Sequence, residues 1–228
     1  MRRSSLIWRA RSLAVLVKDI KSELRTRYAA GAIAMFAVVT IVAIGFSLGG
    51  IALDINLQAI MLWLSIYFAA AAGLGQSFIK EEEAKTSLAL RIYAPSGAVY
   101  NGKLLFNLII LAGLGLLIVP LFALLIGLNV ASYGLFLTIL TAGLIGLACT
   151  TTLIAAIVAR ASVKSTLFTV MAFPIVLPLL VLAIKGTQKA LLAGVLFSDG
   201  IGELLGLSSY SAVMLIAGML LFDYVWND

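Results

Sequence analysis

Histidine is absent from all 228 residues. Since histidine is the commonest protein ligand for metals, its absence excludes every site that needs an imidazole. Cysteine occurs once, at Cys149 inside an apolar run, so no intrachain disulfide can form. Charge is scarce as well. Only 11% of residues are charged, against roughly a quarter in a soluble domain. There is no loop long enough to fold as a soluble domain, so any energy source or catalytic domain must sit on another chain. The first 28 residues are too charged to supply the apolar core of a cleavable signal.

What the chain has instead is apolar residues, 63% of the total, in long unbroken runs. A run of about 20 such residues crosses a bilayer core as a helix, because lipid offers backbone polar groups no partner but one another. The runs predict an all-α integral membrane protein with about six transmembrane helices. The spans fall near residues 29–48, 57–79, 104–128, 133–159, 167–184 and 204–226. Residues 1–228 are expected to form one transmembrane domain.

Residues 1–28 carry eight basic residues against Asp19 and Glu23. Leu13, Leu16, Val17, Ile20, Leu24 and Tyr28 recur at helical spacing. This pattern predicts an amphipathic helix lying on the membrane surface, in contact with lipid. Of the 16 Lys and Arg residues, all but Lys185 and Lys189 fall on the N-terminal side of the predicted membrane. Short cytoplasmic loops hold the excess of basic residues, so the N-terminus is expected in the cytoplasm.

The charged residues all lie in loops or near span ends on this reading, with Gln76 and Asn107 near the cytoplasmic ends of theirs. Ion-coupled transport needs titratable groups at mid-membrane, and none is evident. Gly45 and Gly49, Ala71 and Gly75, and Gly146 and Thr150 repeat a small-residue spacing that lets helices approach closely, within one subunit or between two. Pro174 and Pro178 each remove a backbone donor from the fifth span. They predict a kink or break, which either lines a cavity or moving part or is incidental. The 185–203 segment holds a run too short to cross, Ala190 to Phe197, and predicts a short helix on or dipping into the outer face.

The cytoplasmic loop at residues 80–103 is far longer than a connector between two spans requires. Glu81, Glu82 and Glu83 favour the start of a helix, because carboxylates stabilise its N-terminal dipole. Leu88 and Ile92 share a face, Arg91 lies beside them, and Pro95 stops the helix. Such a helix is a docking knob for a soluble partner.

The stretch TSLALRIYAPSGAVYNGKLLFN, residues 86–107, resembles a segment of ABC exporter permeases in which a proline and then a Gly-Lys open the third span. More narrowly the chain resembles the CcmB family, the heme exporter permease subunit of cytochrome c maturation. The paired-proline FPIVLPLLV, the basic turn at Arg160 to Lys164, the glycine-rich fourth span and the closing LLFDYVWND carry the likeness. Thr86, Ser87, Leu88 and Ala89 stand where that family commonly has Gly-Ser-Leu-Glu, and the interval from Pro95 to Lys103 is short.

The resemblance implies a transport subunit without catalytic residues of its own, in the bacterial inner membrane. Its expected partners are a CcmA-like ATP-binding subunit that holds ATP, a CcmC-like heme-handling protein and a second permease copy, with no nucleic acid. Heme would be cargo and not a resident cofactor, and the lack of histidine places tight ligation of its iron on a partner. A permease for a lipid, polysaccharide or drug is the alternative within the superfamily. A small stand-alone transporter or enzyme is the alternative outside it.

Overall fold

The computed structural model describes residues 2–74, 90, 93–158 and 164–227. Among them there are seven α-helices and no strand. They are α1 (Arg2–Thr26), α2 (Tyr28–Leu48), α3 (Ile55–Leu74), α4 (Ser96–Ile126), α5 (Tyr133–Val158), α6 (Lys164–Leu191) and α7 (Ile201–Asn227). A 3₁₀ turn, Phe197–Gly200, leads directly into α7. Six of the helices, α2 to α7, are long and apolar enough to cross a membrane. An all-helical bundle of this kind satisfies every backbone group of a span internally.

The bundle is built around α5. Most of α5, 78% of its most apolar stretch, is buried, against 17% for each of α2 and α7. It packs on α4, α6 and α7, while α2 and α3 close the other side. Two apolar clusters result. The larger centres on Trp63, Tyr67, Phe122, Ile139, Leu147 and Leu179. The smaller gathers Val15, Leu90, Val99, Tyr100, Ile154, Phe222 and Trp226 at the end where α4 begins and α5 and α7 finish. Large apolar side chains such as Met35, Phe46, Leu116, Leu124 and Leu220 point outward. That distribution suits a lipid surround, where association rests on packing and polar contacts and not on hiding apolar surface.

Gly143 shows why small residues sit where they do. A Cβ at this position of α5 would strike the ring of Trp63. The indole Nε1–H donates to Thr187 Oγ1 at 2.8 Å, joining α3 to α6 across α5. Gly146 likewise lies against Leu179 and Ser211, and Gly45 against Leu125, so both small-residue positions serve packing within this subunit.

Three expectations differ from the structure. The third span begins at Ser96 and not near Leu104, so Lys103 lies two turns inside α4 instead of in a loop. At 31 residues α4 is about 46 Å long, well beyond the hydrocarbon thickness, which lets its first turns stand outside the apolar core. The sixth helix runs unbroken through Pro174 and Pro178 to Leu191. Residues 190 to 197 therefore form no separate short helix. The connection folds through Gly194, at φ 83°, into the 3₁₀ turn. Lys189 secures it by contacting Glu203 at 2.7 Å and donating to the Asp199 carbonyl at 2.7 Å.

Candidate functional site

The docking-loop end of the bundle is where the chain's polar groups and its termini converge. Glu81, Glu82, Glu83, Leu88, Arg91 and Ile92 lie outside the described residues, while the end of the loop is described. Leu90 and Ala94 are buried in the smaller apolar cluster, and the Ala94 N–H donates to the Leu90 carbonyl at 3.0 Å. Tyr93 between them is 64% exposed. Pro95 holds the N-cap of α4 at φ −64° and ψ 151°. Its carbonyl accepts from the N–H groups of Ala98 at 2.9 Å and Val99 at 3.2 Å. Proline suits this position, because the first helical turn has no use for its missing donor.

Two contacts tie the start of α4 to the end of α7. The Ser96 hydroxyl donates to the Asp223 carboxylate. One turn on, Tyr100 packs its ring 5.5 Å from Phe222, which stacks on Trp226 at 5.1 Å. Gly218 gives Tyr100 its space, since a Cβ there would meet the phenol. The acidic-aromatic ending read from sequence is thus part of this site's wall.

The inward face of α4 continues with Lys103 and Asn107. Lys103 is only 1% exposed, and its Nζ lies 3.3 Å from Asp19 Oδ2 on α1. The more exposed Lys18 approaches the other Asp19 oxygen at 3.2 Å. Asn107 is fully buried. Its Nδ2 donates to Thr152 Oγ1 at 2.8 Å, and Thr152 in turn donates to the Ala148 carbonyl at 2.6 Å. The Lys103 ammonium and the Asn107 amide nitrogen are thus partnered, as burial in apolar surroundings demands, whereas Asn107 Oδ1 and the Tyr100 hydroxyl are buried without a hydrogen bond.

α6 joins the network through Tyr210. The Tyr210 hydroxyl donates to the Ile175 carbonyl at 2.6 Å and lies 3.2 Å from Thr150 Oγ1. Pro178 has no N–H to offer the Pro174 carbonyl, so this stretch of α6 is short of donors, and Tyr210 supports it from α7. Pro174 and Pro178 themselves lie on the exposed side of α6 with Phe173, Leu177 and Val181, facing away from the interior. Cys149 is buried in the core of α5.

The site therefore brings Pro95 and the last turn of the loop together with Asp19, Lys103, Asn107 and the end of α7. The paired prolines are held apart from it. The Asp19–Lys103 pair escaped the sequence reading because neither residue carries a spacing signal. A lysine opening an apolar run and one acid within a basic segment are the only hints.

The loop end is anchored in a cluster to which five helices contribute, and no nucleophile and base converge there among the described residues. A model of the CcmB protein family matches residues 10–221, nearly the whole bundle. No curated protein matches the chain significantly. With the family model covering α2 through most of α7 and all of the site except Phe222, Asp223 and Trp226, the chain belongs to the CcmB protein family.

Proposed function

We propose that this chain is the membrane half of an ABC complex in which ATP hydrolysis on a separate CcmA-like subunit shifts the transmembrane helices through the docking loop. The shift drives heme export, or release of a loaded heme chaperone, in cytochrome c maturation. Family membership carries the coarser statement directly: a multi-pass permease subunit of the heme-handling machinery, not an enzyme. The finer reading is supported by the anchoring of the loop's end. Leu90 and Ala94 are buried in a cluster to which α1, α4, α5, α6 and α7 contribute, so a push on the loop reaches five helices at once. A CcmC-like partner supplies ligation of the heme iron, because this chain has no histidine to offer. The complex would sit in the bacterial inner membrane.

Docking is tested by replacing the apolar knob. Leu88→Asp or Ile92→Asp is expected to weaken association of the ATP-binding subunit by about 2 kcal/mol or more, roughly 30-fold, with membrane insertion unchanged. Tyr93→Ala should act in the same direction, since an exposed tyrosine beside the knob is a typical anchor. Co-purification of the subunit at wild-type levels with all three variants would end this reading.

Orientation is tested separately. Reporter fusions after residues 85, 162 and 228 should report cytoplasm, and fusions near 54, 131 and 195 the opposite side. A cytoplasmic signal at residue 195 would contradict the pairing of α6 with α7.

A further inference from the structure

The N-terminal helix is fastened to α4 and not to the helix that follows it in sequence. α1 turns Ser12, Val15, Asp19 and Glu23 inward and leaves Leu13, Val17 and Leu24 exposed. The inward side thus mixes Val15 with three polar residues, while the outward side carries Arg9, Arg11, Lys18, Lys21 and Arg25 beside the exposed leucines and valine. Lipid is as apolar as leucine, so such a helix is held in place by polar contacts and close packing.

Both are present. Gly102 lets the backbones of α1 and α4 come together. A Cβ at this position would lie 2.8 Å from the Ser12 carbonyl oxygen and 2.7 Å from Val15 Cβ. One residue on, Lys103 reaches Asp19 at 3.3 Å in a buried setting. α1 packs far less on α2, to which a turn joins it. That turn is made by Arg27, at φ 52°, the only non-glycine residue in the left-handed region among those described. The Glu23 carboxylate bridges the turn by accepting from the Ala30 N–H at 2.8 Å.

A buried ion pair resists separation, because moving Asp19 away takes a compensating carboxylate from an enclosed ammonium. A single strained backbone position absorbs dihedral change far more readily. We infer that α1 and the first turns of α4 move as one rigid body, with Asp19 and Lys103 as its positioning residues and Arg27 as its pivot against α2. α4 follows the docking loop directly, so a displaced loop carries the N-terminal helix with it. The motion rests on the docking reading above; the fastening does not.

The test uses the permease with its ATP-binding partner, in a Cys149→Ser background, with pairs of spin labels at exposed positions. Leu13 on α1, Leu116 on α4 and Phe46 on α2 all point outward. Leu116 is about 20 Å along the α4 axis from Gly102, a separation suited to distance measurement. Between the nucleotide-free and ATP-trapped complexes, the Leu13–Leu116 distance should hold while the Leu13–Phe46 distance shifts. A Leu13–Leu116 shift as large as that of Leu13–Phe46 would overturn the inference, and so would constancy of both.

The positioning role is read on the permease alone. Asp19→Asn should broaden the Leu13–Leu116 distribution, and the charge exchange Asp19→Lys with Lys103→Asp should narrow it again. An unbroadened Asp19→Asn distribution would remove the pair's role. Should the ATP-binding subunit fail to associate at all, the docking reading falls, and this second measurement still decides the fastening.

Discussion

Replacing Asp19 by Asn should cost the folded chain about 3–5 kcal/mol, the penalty for breaking a buried ion pair by removing one partner. The loss is expected to be unequal between the two members. Lys103 is almost fully enclosed, so Asp19→Asn takes a carboxylate away from a buried ammonium. Lys103→Met leaves Asp19 with Lys18, 3.2 Å away and partly in contact with solvent, so its cost is smaller. The neutral double variant, Asp19→Asn with Lys103→Met, should lie closer to the wild type than Asp19→Asn does, because neither charge is then buried. Thermal unfolding of the purified protein in detergent, compared across the three variants, gives the order. A double variant less stable than Asp19→Asn would mean that the pair contributes net stability in its own right. Equal melting of Asp19→Asn and the wild type would show the pair to be energetically idle.

The second large effect is expected at Trp63. Its side chain is fully buried between α3, α5 and α6, and its indole N–H reaches Thr187. Trp63→Ala removes that volume and the only hydrogen bond the structure gives Trp63, a change that costs about 3–5 kcal/mol in a close-packed core. Trp63→Phe keeps most of the ring contacts and should cost less, leaving mainly the loss of the Thr187 bond. Approached from the other side, Gly143→Ala places a methyl group where the indole lies and should cost about 1–3 kcal/mol through overpacking. The three melting curves should therefore fall in the order Trp63→Phe above Trp63→Ala, with Gly143→Ala also below the wild type. A Trp63→Ala protein that melts with the wild type would show that this joint does not hold the bundle.

Much of the fold was legible before any coordinates. The apolar runs located all six spans, and the ends of α2 and α5 agree with the structure to within a residue or so. Length and hydrophobicity suffice there because a bilayer imposes a single solution on a long apolar segment. Family membership was legible for a similar reason. The Gly-Lys pair within α4, the paired prolines and the acidic-aromatic ending are local strings, and local strings survive without a tertiary context.

What the apolar pattern could not show was direction. In a soluble helix the apolar stripe marks the buried face, but in α1 Leu16 and Ile20 are half-buried while Leu13, Val17 and Leu24 stay exposed beside Lys18, Lys21 and Arg25. The contact is marked by Val15 together with the polar residues Ser12, Asp19 and Glu23. The paired prolines make the same point. Their backbone chemistry is plain from sequence, yet only the packing of α6 turns Pro174 and Pro178 outward and brings Tyr210 to the Ile175 carbonyl. The limits of α4 and α6 were misjudged where helix continues past the apolar run, through Lys103 at one end and Lys189 at the other. Each lysine is accommodated by an acid distant in the chain, Asp19 for one and Glu203 for the other. The sequence by itself determined which segments enter the membrane, because that depends on summed transfer energy along a segment. The tertiary structure alone decided which face of each helix is the working one, because that depends on partners the chain brings together from 84 and 14 residues away.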